Sequence, residues 1–368
     1  MSNSPMDDFL PLLRQVFRTQ HGLPGTDVPI HVPSEDRERL FVWARRHRVT
    51  GLLQAGFPEL AANLQTAAYG QARHTALFTH EAARLFALLA PRLQALALVK
   101  GPALAAQAWP APDLRIFDDL DFQCAREDFP RLAAGLAEAG YAPRIDDPRR
   151  MAHRWHYGWG VGFQHPDGYK VEVNHRFFPP HYPWPCGLTT DRADLFVMQP
   201  LDDAPMRVPA PALHLLQCCL HAVWHGWERL AWLVDIAGLL ARHPDSLAQA
   251  QTLTTECPFA ARTLAAGWAV ADAVFGPGLA GGGRMSPAEP AVAEARAILA
   301  GAAPTPAGSR LRKFHEQFMR PAEKAVYRLR RVFTPGDGDF QWYSLPPALR
   351  GLYWLLRPVR ATITYNYM

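Results

Sequence analysis

The chain has 368 residues, enough for two or three domains with sizeable cores, and is 49% hydrophobic and 20% charged, as in a soluble globular protein. A formal charge of only +4 argues against a surface that binds polyanions everywhere, and no apolar run approaches the ~20 residues of a membrane-spanning helix. Five cysteines without paired spacing fit reduced thiols, and MSNSPMDDFLPLLRQ has no basic stretch leading into an apolar one, so a cytoplasmic protein without signal peptide is expected.

Residues 7–20 and 34–49 place apolar side chains at helical spacing. The second helix is expected to start at Ser34 as N-cap, with Glu35 and Asp36 in its first turn. The pattern continues over 52–64 and 67–93, so residues 1–92 form a helical region packed on a core that begins at Leu96. No chemical motif lies within it.

The informative stretch follows. Leu96 to Val99 is an apolar run of strand length, stopped by Lys100-Gly101-Pro102, and Ala103 to Ala108 predicts a short helix. After Trp109-Pro110 the chain reaches Arg115 and then Asp118-Asp119-Leu120-Asp121-Phe122. Residues two apart in a strand share a face, so Asp119 and Asp121 present two carboxylates together while Leu120 and Phe122 enter the core. Two carboxylates on one edge repel unless a cation lies between them, and hard oxygen donors suit Mg²⁺. A solvated Asp-rich loop is the plainer alternative. The chain has only four lysines, and one of them, Lys100, falls at this strand end.

Lys100-Gly101, Leu104, Trp109-Pro110, Arg115 and Asp119-Leu120-Asp121 together resemble the bacterial "uncharacterised nucleotidyltransferase" group of the DNA polymerase β-like nucleotidyltransferase superfamily. Gly101-Pro102 stands where the superfamily has a Gly-Gly or Gly-Ser turn, and the spacing to Asp119 fits the narrower group. His221, Arg229-Leu230-Ala231-Trp232 and Asp235 extend the similarity, which covers about 95–240. The resemblance implies a polymerase β-like sheet core in an α+β fold, NTP as substrate, and two Mg²⁺ ions, with Mn²⁺ as a substitute. It also implies Lys100, Gly101 and Arg115 as nucleotide-binding residues, and a third carboxylate on a later strand.

Arg126 to Gly140 predicts a helix ended by its glycine. Period-two alternation over 153–163, with His153, Trp155, Tyr157, Trp159, Val161 and Phe163 on one side, predicts a strand. Pro166-Asp167-Gly168 turns the chain, and Tyr169 to His175 returns antiparallel. With Val171 and Val173 in the core, Glu172 and Asn174 point where Asp119 and Asp121 point. Glu172 is therefore the candidate third carboxylate; the alternative is an ion pair with Lys170 or Arg176. The related group shows acid-x-His here, so Asn174 takes the histidine place and His175 lies one residue out of step. These two, with His221 and Asp235, are candidate cleft residues.

Residues 179–211 are proline-rich and read as a wrapping loop and linker. From Ala212 the pattern is helical again, in one long helix or two. His214, Cys218, His221 and His225 share a helix face, which raises zinc as an option, against a packing or cleft-lining surface. Gly276 to Pro290 and Gly301 to Ser309 are loops flanking a helix over Ala291 to Leu299. From Ser309 onward eleven Arg and Lys face four acids, a net +7 that leaves −3 for the rest of a +4 chain. Aromatics interleave with these cations, so RNA, an anionic surface or an acidic acceptor are candidate partners beside a solvated helix face.

Four regions are expected: helices over 1–92, the nucleotidyltransferase core over 93–200, a helical domain over 201–300, and a basic, aromatic region over 301–368. The leading expectation is an enzyme moving a nucleoside monophosphate from an NTP to an unidentified acceptor. A toxin-like tRNA nucleotidyltransferase and a catalytically silent binding or scaffold protein are the alternatives.

Overall fold

A computed structural model describes residues 5–24, 37–57, 65–279, 289–299, 301, 303 and 305–365. Four helices lead, α1 (Pro5–Gln20), α2 (Arg37–Arg46), α3 (Thr50–Gly56) and α4 (Gln65–Leu89). The expected start at Ser34, Glu35 and Asp36 lies outside the described residues, as do 58–64 of the expected third helix. The sheet segment then runs β1 (Leu96–Val99), α5 (Gly101–Ala108), β2 (Leu120–Cys124), α6 (Phe129–Glu138), β3 (Ala142–Pro143), α7 (Pro148–Tyr157), β4 (Gly160–Gln164) and β5 (Lys170–Asn174).

These strands form one mixed sheet of order β1-β2-β5-β4-β3, in which only the β2–β5 pair is parallel. Alternation decides its faces. Leu120, Phe122, Val171 and Val173 are buried in one cluster with Phe78, Leu85 and Leu89 of α4 and Leu132 and Leu136 of α6. The intervening residues Asp121, Gln123, Glu172 and Asn174 therefore face the opposite side. The fold is mixed α+β, with helices around a sheet, as the sequence indicates.

One stretch differs from expectation. Residues 153–157 are helical, within α7, and the strand begins only at Gly160. Asp147 caps this helix by accepting hydrogen bonds from the backbone N–H groups of Arg149 and Arg150, with Pro148 in its first turn. The aromatic alternation arises because α7 is buried on two sides. Met151 and Trp155, four apart, meet the sheet core, whereas His153 and Tyr157 meet Phe340 and Tyr353 of the C-terminal region. The hairpin itself, β4 to β5 through Gly168, has the expected antiparallel pairing.

Residues 196–209, read as linker, form a second hairpin of β6 (Phe196–Leu201) and β7 (Ala204–Pro209). Pro200, Pro205 and Pro209 mask its strand signal, while Asp202 and Asp203, both at positive φ, make the tight turn. Leu201, Met206 and Val208 join the sheet core.

The remaining helices are α8 (Pro211–Trp224), α9 (Leu230–Arg242), α10 (Ser246–Leu253), α11 (Pro258–Phe275), α12 (Glu289–Leu299), α13 (Gly308–Gln317), α14 (Pro321–Phe333), α15 (Asp337–Trp342) and α16 (Tyr353–Tyr365). The segment from Ala212 is thus two helices, broken at Gly226 and Trp227, both at positive φ. α1 to α3 share one hydrophobic cluster with α8 to α13, so the start of the chain closes over the helical half, and of the four leading helices only α4 packs in the sheet core. Gly238 lets α9 approach α5: a Cβ there would lie 1.8 Å from the Ala108 carbonyl oxygen. No helix is long and apolar enough to cross a membrane among the described residues.

Candidate active site

The site is built where β1 and β2 meet. Val99 pairs with Asp121 across the antiparallel ladder, and Lys100 follows at once in a turn with φ of +58°. That conformation is costly for a residue with a Cβ, by roughly 1–3 kcal/mol, and survives only where its surroundings enforce it. Here the enforcement is visible. The Lys100 backbone N–H donates to His214 Nε2 at 3.2 Å, and the Lys100 carbonyl accepts from Leu104 in α5. Gly101 follows at φ +44°, its Cα side only 3.4 Å from the Asp119 carbonyl oxygen were a Cβ present.

Since Nε2 of His214 accepts, Nδ1 carries the proton and donates to Gln107 Oε1 at 2.8 Å. Gln107 Nε2 in turn donates to Gln199 Oε1 and the Pro209 carbonyl, both at 3.0 Å. Burial, then the charges of Arg115 and Lys100, push His214 down to about 3, which keeps the ring neutral and able to accept. His214 therefore serves as the brace of the Lys100-Gly101 turn, a role its helical spacing with Cys218, His221 and His225 did not announce. Those other rings pack instead: His221 and His225 lie edge to face at 4.5 Å and both lie against Trp232.

The turn directs the Lys100 ammonium to 3.4 Å from Asp121 Oδ1. Asp121 and Glu172 are register partners on the parallel strands β2 and β5, so their side chains leave the same face from backbones about 4.8 Å apart. Asp119 sits just before β2 rather than within it. Lys100, Gly101, Asp119, Asp121 and Glu172 open together on one cleft of about 450 Å³, with Arg115 and His221 also in its wall. Glu172 makes no ion pair with Lys170 or Arg176 among the described residues.

The electrostatics follow from this crowding. Burial and then the Asp121 charge raise Asp119 to about 6. Asp121 is also raised, by burial first; Lys100 opposes this and Glu172 adds to it. Burial pulls Lys100 down, but Asp121, Asp119 and Glu172 outweigh it and hold the ammonium above its ordinary value. Three acids thus share one cation. Among the described residues no three His, Cys, Asp or Glu side chains converge closely enough to hold a metal ion as they stand.

Arg115 lines the cleft as expected, whereas Asp235 is buried behind it as the partner of Arg115. Arg115 Nε and Nη2 donate to Asp235 Oδ1 and Oδ2 at 2.8 and 3.0 Å, and Trp109 Nε1 donates to Oδ1 at 2.6 Å. All three side chains are buried, so Trp109, Arg115 and Asp235 form a brace that ties the segment after α5 to α9 beneath the cleft. Asp118 pairs with Arg48 at 2.6 Å on the rim. Arg115 still reaches the cleft, with Nη1 left over for a ligand.

Asn174 and His175 are not brought to these carboxylates. Asn174 lies two residues farther along β5, and His175 faces a separate cavity at the other end of the strand. The sequence reading missed His214 and Gln107 as supports, and Arg48 as a rim cation; only the histidine carried a signal, its position on a helix face with Cys218 and His221.

A lysine-glycine turn beside a carboxylate-bearing edge of a mixed sheet is the framework of a nucleotidyltransferase. The family described as uncharacterised nucleotidyltransferase matches residues 33–276, and the chain belongs to it. No curated protein matches the chain.

Proposed function

We propose that this protein transfers a nucleoside monophosphate from an NTP to an acceptor, using the Asp119, Asp121 and Glu172 edge. The carrying observation is the register pairing of Asp121 with Glu172 at the mouth of the Lys100-Gly101 turn, in a chain of a nucleotidyltransferase family. The three carboxylates fit Mg²⁺ by donor type, all oxygen, and the raised affinity of Asp119 and Asp121 for protons marks negative charge that one lysine does not neutralise. Bound there, two such ions would supply charge neutralisation at the α-phosphate and at the attacking oxygen.

The chain's own groups have distinct tasks. Asp119 and Asp121 would hold the ions, and Glu172, one strand over, would serve the side on which the acceptor enters. Lys100, released from Asp121, supplies an ammonium to the triphosphate, and the Gly101 N–H at the start of α5 adds a donor with a favourable dipole. Arg115 offers Nη1 while Asp235 fixes its guanidinium plane. The acceptor oxygen forms its bond to the α-phosphorus as the α–β bridging oxygen departs with pyrophosphate.

Asp121→Asn should lower Mg²⁺-dependent turnover of NTP by roughly a thousandfold, the several kcal/mol of charge stabilisation that a bound ion supplies. Pyrophosphate release from NTP with water standing in as the acceptor, with and without Mg²⁺, checks this without knowledge of the natural acceptor. Release by the variant at the wild-type rate would remove the assignment.

A further inference from the structure

At the far ends of β2 and β5 the chain encloses a second cavity, of about 670 Å³. Arg126 lies two residues past the end of β2, Arg176 two past the end of β5, and Arg330 reaches in from α14. None of the three meets a carboxylate among the described residues. Arg126 Nη2 donates to the His156 ring and carbonyl at 2.8 and 2.7 Å, and Arg176 and Arg330 form no ion pair among the described residues. The two acids of the wall, Glu127 and Asp191, are exposed at its rim.

His175 and Tyr182 also border this space; the His175 ring nitrogens and the Tyr182 hydroxyl are shielded from solvent and have no hydrogen-bond partner among the described residues, so contacts to a ligand fall to the guanidinium groups. The like charges go uncompensated. Burial and then Arg126 pull Arg176 below its ordinary value, and burial, Arg176 and Arg126 push His175 down to about 3. An apolar wall stands beside this polar floor, where Phe177 stacks on Trp184 at 4.8 Å. Phe177, Phe178 and Pro179 also border the carboxylate cleft, so one short segment separates the two spaces.

We infer that this cavity binds a phosphate monoester with a ring-shaped or apolar body, its phosphate held by Arg126, Arg176 and Arg330. Guanidinium donors match phosphate oxygens two at a time, and the Phe177–Trp184 wall takes the body. The anion site stands on its own geometry; naming its ligand the acceptor rests on the nucleotidyl-transfer reading. The basic C-terminal region then has a specific use, since Arg330 completes a site begun by the sheet. From Glu172 to Arg176 the strand covers roughly 13 Å, which sets the distance between the phosphate and the reacting oxygen of such an acceptor.

Phenyl phosphate is the probe, with inorganic phosphate beside it and calorimetry as the readout. The wild-type protein should bind phenyl phosphate more tightly than inorganic phosphate. Arg176→Gln and Arg330→Gln should each weaken it by about tenfold or more, the worth of a lost charge-assisted hydrogen bond. Arg330 is exposed, so its replacement tests binding without burdening the fold. Asp121→Asn should leave phenyl phosphate affinity within about twofold, because that carboxylate opens on the other cleft. Undetectable binding to wild-type protein at millimolar probe, equal binding by Arg176→Gln, or loss of binding in Asp121→Asn overturns the inference. MgATP, titrated separately, tests the other reading: failure of ATP to bind while phenyl phosphate behaves as stated would retire the transferase and keep the anion site.

Discussion

The two ends of the β2–β5 pair carry opposite charge and are built in opposite ways. At the entering end Asp121 and Glu172 lie within the strands, and every nearby cation already has work, Lys100 on Asp121 and Arg115 on Asp235. At the leaving end, just beyond the strands, Arg126 opens a 3-10 turn and Arg176 lies in a loop, and neither pairs with a carboxylate among the described residues. A strand residue has its direction fixed by pleat and ladder, so acids there are held in place together whether or not they repel. A loop residue is held by little, and its charge waits for a ligand. Cutting the buried Arg115–Asp235 pair that supports the first end should therefore disturb the fold, and mutations at the second end should disturb only binding.

The sharpest way to break that contrast is to cut one buried pair and one unpaired cation side by side. Asp235→Ala strands the Arg115 guanidinium in the core and should cost about 3–5 kcal/mol of unfolding free energy. Arg176→Gln removes a charge that is repelled by Arg126, and should change stability by less than about 0.5 kcal/mol. Urea denaturation followed by circular dichroism measures both. Comparable losses from the two variants would mean that the leaving end is structural as well.

A smaller effect separates roles within the entering end. Glu172→Gln should slow turnover by about ten- to a hundredfold while nucleotide affinity changes by less than about threefold, because its charge serves the acceptor side. Single-turnover rates set against calorimetric nucleotide binding give the split. Affinity that falls in step with rate would place Glu172 on the triphosphate.

Much of the entering end is legible in the sequence because period two is local. Val171 and Val173 announce the core, which forces Glu172 to the other face, and the Lys100-Gly101 turn stands out among so few lysines. What fails is what depends on distant partners. The alternating aromatics of 153–157 look like a strand, and only the docking of Phe340 and Tyr353 on a second side of α7 makes a helix of them. Asp235 lies 120 residues from Arg115, so nothing near Arg115 reveals that its fork is already taken. His214 shares a face with Cys218, which suggests metal, yet its function is set by the backbone N–H of Lys100, 114 residues away. The leaving-end cavity escapes for the same reason, since it joins residues beyond two strands to Arg330.

The smallest predicted effect tests whether the entering end is strained by its own charge. Asp119 is raised from 3.8 to about 6, by burial first and the Asp121 charge second. A folded-state value above the unfolded one means that the folded chain holds the proton more tightly. Stability from this group is therefore present below about pH 4, is lost between there and about pH 6, and stays lost above. At pH 7.5 and without metal, Asp119→Asn should raise the unfolding free energy by about 1 kcal/mol once solvent screening is allowed for, on the order of 2 °C in melting temperature. The gain should vanish near pH 4, where the wild-type carboxyl is neutral too. Saturating Mg²⁺ should reverse the order, because the ion stabilises the ionised carboxylates of the wild type and finds fewer in the variant. Melting curves at the two pH values, with Mg²⁺ and with chelator, read all three outcomes. A variant that melts lower than wild type in chelator at pH 7.5 would show that Asp119 is already compensated, and the electrostatic ground for placing divalent ions at this edge would be gone.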